Sequence, residues 1–329
     1  MRDRRRRKHS WERVMSLVAA LVVAACGWAG SSSTSSRTGY TLRLGIIGSN
    51  PVPTGAEGWA LHLPSLRQRL ASLGITKVQV LPFGNGPDLI AAMTGGSVDV
   101  GILGDTPALV GKAHGLDTRL INIARGPQDA WLLAKKDGPR SVHDLRGKVV
   151  ATQKGSYMYR YLVGLLQSEG LQGQVMVTNV LTPEAFAALQ KGSIDAYAAP
   201  ISNAAVWEEQ GGFPIIDQAS WHAGLQGTSV TIATARFLAA HPGFAPAWNR
   251  FRSLGVDDLQ AHLDAYYGWE AQVNGESVEE ARRGDPATQY HDQAFPQDLL
   301  QLLKGTDSFL VANHLSDGYV DIDRWRQTS

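Results

Sequence analysis

Two stretches of this chain repeat one phrase. Residues 87–100 read PDLIAAMTGGSVDV and residues 183–196 read PEAFAALQKGSIDA. Each has a proline and an acid, then Ala-Ala, then Gly-Ser, a β-branched residue and an aspartate. The flanks match as well. Thr41–Ile47, Lys77–Leu81 and Val98–Leu103 have the β-branched, apolar character of strands, with helical spacing over Trp59–Leu73 and Pro87–Thr94 between them. After the middle of the chain the order recurs: strand Lys148–Thr152, helix Tyr157–Ser168, strand Gln174–Val180, helix Pro183–Gln190, strand Ile194–Ala198. Strands alternating with helices form parallel β-α-β units with right-handed crossovers. Two such units in 329 residues predict two related α/β lobes facing a shared cleft. Leu120–Ile123, Trp131–Ala134 and Thr228–Thr234 are read as strands that cross between the lobes. From Phe237 onward amphipathic helices are expected at Trp248–Leu254, Leu259–Trp269 and Leu299–Leu303.

A hydrophobic fraction of 43% suits a globular core. The formal net charge of +1 hides an asymmetry: outside residues 1–25 the chain carries 24 basic and 28 acidic residues. A mildly acidic body speaks against a nucleic-acid partner.

Cys26 is the only cysteine, so no internal disulfide forms. It follows a basic run, an apolar stretch from Val14 to Ala25 and the small residues Val23-Ala24-Ala25. The apolar stretch is too short to span a bilayer and has the size and flanks of a signal peptide. The junction resembles the lipobox of bacterial lipoproteins. That resemblance implies a signal peptide over 1–25, cleavage before Cys26 and a lipid on its thiol. Residues 26–39, rich in Ser, Gly and Thr, then form a flexible tether with a reach of roughly 20 Å.

Ligands of open parallel sheets sit at the carboxyl ends of the strands. Four such ends are rich in glycine, amide and hydroxyl side chains: Gly48-Ser49-Asn50, Gly84-Asn85-Gly86-Pro87, Gly104-Asp105-Thr106-Pro107 and Lys154-Gly155-Ser156-Tyr157. Three lead directly into helices, whose unpaired first amides suit an anion. Thr106 and Ser156 are also the expected caps of those helices. Asp105 fits an anion site only as a cap or as a partner for a cationic part of the ligand. Arg125, beside the first crossing, offers a fixed positive charge, and Tyr157, Tyr159 and Trp221 offer apolar walls. Four or five hydrogen bonds to a charged group, at about 1.5–3 kcal/mol each, give roughly micromolar affinity after association costs.

Enzymatic motifs are sparse. No GxSxG elbow, P-loop or zinc spacing occurs. Neither a cofactor nor a metal is expected, and Asp317-Gly318 with Asp321 and Asp323 is read as a surface turn.

Taken together, Gly86-Pro87, the Gly-Ser-Val-Asp ending at Asp99, Gly104-Asp105-Thr106-Pro107, Asp144-Leu145-Arg146-Gly147-Lys148-Val149, Gln153-Lys154-Gly155-Ser156 and Leu181-Thr182-Pro183 resemble solute-binding lipoproteins of ABC transporters. The aliphatic-sulfonate, nitrate and taurine group is the most similar, over residues 41–240. The resemblance implies a two-lobed periplasmic-binding-protein-like fold of type II, with parallel-type sheets flanked by helices and two crossover strands. Lobe 1 would comprise 40–124 with 225–329, and lobe 2 would comprise 125–224. It implies a monomeric, non-enzymatic protein, exported and lipid-anchored at the outer face of the cell membrane or in the periplasm. Such a protein captures a small anionic solute, foremost an aliphatic sulfonate, and delivers it to a permease with its ATPase subunits. The ligand residues expected are Ser49, Asn50, Asn85, Gly86, Asp105, Thr106, Arg125, Gly155, Ser156, Tyr157 and Asn203. The chain departs from the family around Tyr157-Met158-Tyr159 and Tyr197–Asn203, where a ligand would touch. A pyrimidine-precursor-type enzyme and a ligand sensor are the alternatives on the same fold.

Overall fold

The computed structural model describes residues 39–327, and the expected signal peptide, Cys26 lipidation and tether lie outside them. Ten strands build two five-stranded sheets. In chain order they are β1 Tyr40–Ile47, β2 Ile75–Phe83, β3 Val100–Gly104, β4 Thr118–Gln128, β5 Ala130–Ala134, β6 Val149–Thr152, β7 Met176–Asn179, β8 Ala196–Pro200, β9 Ile215–Gln218 and β10 Gly227–Thr234. One sheet has the order β2-β1-β3-β10-β4 and the other β7-β6-β8-β5-β9. β1 lies parallel to β2 and β3, and β6 lies parallel to β7 and β8. Each sheet is completed by antiparallel strands: β10 joins β3 to β4, and β5 joins β8 to β9. The expected α/β class with two helix-flanked sheets is therefore the observed one, with an antiparallel pair added to each parallel trio. The two orders superimpose position for position, so β5 fills in the second sheet the place that β10 fills in the first. The chain leaves the first sheet between Gln128 and Ala130 and returns to it between Gln218 and Gly227.

The repeated phrase does the same work in both sheets. The Asp99 amide donates to the Arg43 carbonyl of β1 at 3.0 Å, and its carboxylate accepts from the Arg43 amide at 3.2 Å. The Asp195 amide donates to the Val149 carbonyl of β6 at 2.7 Å, and its carboxylate accepts from the Val149 amide at 2.9 Å. Each aspartate also meets a cation, Arg43 or Lys135. The acid thus pins the entry of the third strand of each trio to the first.

Alternate residues of the central strands feed two cores. Along β5, Ala130, Leu132 and Ala134 face one apolar cluster, while Trp131 and Leu133 face another. Along β8, Ala196 and Ala198 share the first of these clusters, and Tyr197 and Ala199 the second. Strands covered on both faces have no polar side to show, which explains their unbroken apolar runs. The helix Tyr157–Ser168 presents Met158, Tyr161, Leu162 and Leu165 to the β5 side at helical spacing.

Several expected boundaries shift. The helical stretch 59–73 is two helices, Gly55–His62 and Pro64–Ser72, because Pro64 cannot donate into a continuing turn. The stretch 259–269 is broken at His262 between helices Phe244–Ala261 and Leu263–Asn274. Thr106 does not cap its helix: the cap is Gly104, the helix runs Asp105–Ala113, and the Thr106 hydroxyl donates to Asp105 at 3.0 Å. Ser156 does cap, accepting from the Tyr159 amide at 3.2 Å. The acids of the C-terminal turn serve as ordinary partners, Asp317 to His114 and Asp323 to Lys304 and Arg326. Among the described residues no cluster fit for a metal ion occurs, and no helix is long and apolar enough to cross a membrane.

Candidate ligand-binding site

Arg125 stands near the end of β4, where the chain is about to cross to the second sheet. Its side chain is 31% exposed, and Nη1 donates to Asp285 Oδ1 at 3.0 Å. Burial works against the charge, but Tyr290 and Asp285 outweigh it and hold this guanidinium above the usual arginine range. Asp285 follows the helix Val278–Gly284 and is itself buried. It accepts the Tyr266 hydroxyl at 2.5 Å and the Tyr290 hydroxyl at 2.8 Å. Glu270 is also within reach of this acid. Burial, aided by the Asp285 charge, pushes its carboxyl up to about 10, so it is neutral at pH 7.

A second buried pair lies on the same side. Glu57, in the first turn of helix Gly55–His62, meets Arg252 at 3.5 Å and accepts from Thr231 of β10 at 3.3 Å. Burial raises its carboxyl, against the pull of Arg252. Nearby on β10, Ser229 donates to Gln128 at 2.6 Å.

The opposite wall comes from the second sheet. Tyr157 donates to the Asp129 carbonyl at 3.2 Å, and burial raises its phenol so that it stays a donor. Its ring lies against Gly104 and Gly227, where a Cβ would stand 3.7 and 2.7 Å away. Gly155, at φ +75°, faces Pro87, whose Cγ would lie 3.1 Å from a Cβ there. Glycine thus permits both the left-handed turn and the close approach of Pro87.

The expected residues fall into four groups. Asp105, Thr106, Arg125, Gly155, Ser156 and Tyr157 gather at the junction of the two sheets. Asp105, however, is fully buried and spent: its carboxylate accepts the Thr106 amide and hydroxyl and the Thr228 amide and hydroxyl, at 2.6–3.2 Å. Ser156 likewise donates its hydroxyl to the Gln153 carbonyl at 2.6 Å. Asn85 caps helix Gly86–Thr94 through the Asp88 amide at 2.8 Å, and Gly86 packs on Pro107. Asn203 lies beside Ser202, whose backbone touches Gly284, next to Asp285. Ser49 and Asn50 are exposed, and Asn50 is tied to the Val273 carbonyl at 2.9 Å. A cavity of about 760 Å³ opens between helices Gly86–Thr94 and Asp105–Ala113, reaching Thr106, Gly155 and Tyr159 but not Arg125.

Glu57, Arg252, Asp285, Tyr266 and Tyr290 were missed by sequence reasoning. They carry no motif, and four of the five come from the helical region after β10. Their only sequence signal is a set of acids and tyrosines at positions that the helical pattern turns inward.

The protein-family model described as NMT1/THI5 like matches residues 74–264. A putative aliphatic sulfonates-binding protein of Escherichia coli (strain K12) is 31% identical over 172 residues, 51% of each chain. The taurine-binding periplasmic protein of the same organism is 28% identical over 187 residues, 55% of this chain and 56% of the relative. The chain thus spans about half the length of these curated relatives. Among solved structures, the alkanesulfonate-binding protein SsuA from Xanthomonas axonopodis pv. citri bound to MOPS superimposes with a TM-score of 0.72 at 22% identity, covering 87% of this chain and 98% of that one. The desulfurization enzyme DSZB superimposes with a TM-score of 0.65 at 17% identity, over 87% and 96%. These likenesses establish the fold, and the fold carries both binding and catalysis.

Proposed function

We propose that this chain, which belongs to the NMT1/THI5-like family, is the extracytoplasmic solute-binding component of an ABC importer. Its solute would be a small organic anion, foremost an aliphatic sulfonate, held between two lobes. The lobes would be 40–124 with 225–329, and 125–224, exchanging strands near Gln128 and Gly227. The observation that carries the proposal is the Arg125 guanidinium, partly exposed at the junction of the two sheets and facing Tyr157. A partly exposed charged fork suits a sulfonate, whose oxygens accept in several directions. The sulfonate- and taurine-binding names of the relatives support the same class of ligand. Lobe closure would trap the solute and present one shape to a permease and its ATPase subunits. Export with a lipid on Cys26 would hold the protein at the outer face of the membrane.

The test is native mass spectrometry of the purified protein followed by thermal shifts with alkanesulfonates, taurine, sulfate, nitrate and pyrimidines. A sulfonate should raise the melting temperature and compact the protein in small-angle scattering. A response to pyrimidines alone, or turnover of a sulfinate, would replace the proposal with an enzymatic one. Loss of solute uptake in a strain lacking the protein separates transport from sensing. Cys26→Ser should abolish partitioning into detergent.

A further inference from the structure

Arg125, Arg160 and Arg252 are held in different ways. Arg160 is fully buried and spends both Nη atoms on backbone carbonyls of Gly224, Leu225 and Gln226. Arg252 is 1% exposed and spends its Nη atoms on the carbonyls of His291 and Ala124. These two brace the main chain. Arg125 differs: one Nη meets a carboxylate, and nearly a third of its side chain faces open space.

The carboxylate is unusually constrained. Asp285 is held by the Tyr266 hydroxyl on one oxygen and by the Tyr290 hydroxyl across both, and its own carbonyl accepts from Tyr267 at 3.1 Å. Tyr290 is fixed in turn against Gly55, where a Cβ would lie 2.8 Å from its hydroxyl. A surface ion pair needs no such frame. A long, rotamer-rich side chain that must present a fork to a ligand does, because its ordering is then complete before the ligand arrives.

We infer that Asp285 is a positioning residue: framed by Tyr266 and Tyr290, it fixes the guanidinium plane of Arg125 so that the remaining donors face the cleft. The inference rests on the proposal that Arg125 meets the anionic head of the solute. It adds that the C-terminal helical region, through Asp285, sets the geometry of the site.

The experiment uses the full chain. Arginine side-chain ¹⁵N NMR is recorded without solute on the wild type, Asp285→Asn, Asp285→Glu and Tyr290→Phe, with the Arg125 signals assigned by their loss in Arg125→Lys. The wild type should show restricted rotation of the Arg125 guanidinium. Asp285→Asn should speed it at least tenfold, and Asp285→Glu should restore part of the restriction. Unchanged Arg125 dynamics in both Asp285→Asn and Tyr290→Phe would overturn the inference; Tyr290→Phe decides alone if Asp285→Asn does not fold. In parallel, 1-butanesulfonate binding is measured by calorimetry. A loss of tenfold or more in both Arg125→Lys and Asp285→Asn supports the inference. A loss in Arg125→Lys without one in Asp285→Asn overturns it. No change in Arg125→Lys removes Arg125 as the solute's cation instead, while the NMR result still decides whether Asp285 fixes it.

Discussion

Gly284 and Ser202 meet backbone to backbone. A Cβ on Gly284 would stand 2.8 Å from the Ser202 Cα and 3.3 Å from its carbonyl oxygen. Gly284 ends the helix that leads to Asp285, and Ser202 is the second residue of the helix Ile201–Gly211, which packs on the second sheet. Polar contacts flank this bearing point: Arg283 pairs with Glu208, and Gln210 donates to Glu280 at 3.0 Å. The partly exposed ion pair contributes little by itself, so the close backbone approach is the tighter constraint between these two helices.

A wedge at this point should therefore open the molecule. Gly284→Val places two methyl groups against the Ser202 backbone, which cannot yield without moving its helix. Small-angle scattering of the solute-free variant should give a larger radius of gyration, with a stability loss of about 1–3 kcal/mol in urea. A profile identical to the wild type would contradict the role given to this contact.

Glu270 makes stability depend on pH in a predictable direction. Its carboxyl is pushed up to about 10 in the fold, against an ordinary value of 4.5. Between those values the folded chain holds a proton that the unfolded chain has released. The contribution is thus fully present below about pH 4.5 and is lost as pH rises toward 10. The slope for one proton is roughly 1 kcal/mol per pH unit. Glu270→Gln, which keeps the shape and removes the titration, should show a shallower fall between pH 6 and 9 in urea melts. Parallel curves for variant and wild type would exclude this group as the source.

Arg160 braces the return crossing. Its guanidinium donates to the Gly224, Leu225 and Gln226 carbonyls at 2.9, 3.2 and 2.5 Å. Arg160→Leu fills much of the volume but leaves these acceptors without donors, at a cost of about 3 kcal/mol or more. Amide exchange in residues 224–228 should quicken more than in the core of either sheet. Arg160→Lys, with one ammonium for three carbonyls, should fall between the two.

Asp105 separates structural from binding roles. Both of its oxygens only accept, so Asn at this position turns an NH₂ toward a donor in either orientation. Asp105→Asn should cost about 1–3 kcal/mol in solute-free stability. Asn50→Ala, on an exposed loop, should leave solute affinity unchanged. Equal stability for Asp105→Asn and wild type in thermal melts would show that the carboxylate is not the anchor its contacts indicate.

How much could be read without the structure depends on the range of the interaction. The helix Tyr157–Ser168 was legible to the residue, because its apolar spacing and its Ser156 cap are local. The Asp99 and Asp195 endings were legible as a repeat, though not as anchors to Arg43 and Val149. The helix Val278–Gly284 was missed, since seven residues carry too little periodicity to stand out. The expected loops at Ser49 and Asn85 had the right composition for a site, but glycine, amide and hydroxyl residues suit exposed turns and caps equally well.

Local pattern was enough to reveal two alternating strand–helix units. Period, caps and a duplicated phrase act between near neighbours, and they mark the parallel trios, while the edge strand Ile215–Gln218 carries no such signal. Tertiary structure alone decided which polar groups face the junction. Arg125 and Asp285 are 160 residues apart, and no local pattern links them. They meet because β4 ends at the crossing and the C-terminal helices fold back over the helix start at Gly55. A buried charge must find its partner wherever packing brings one, and only the packed chain shows where that is.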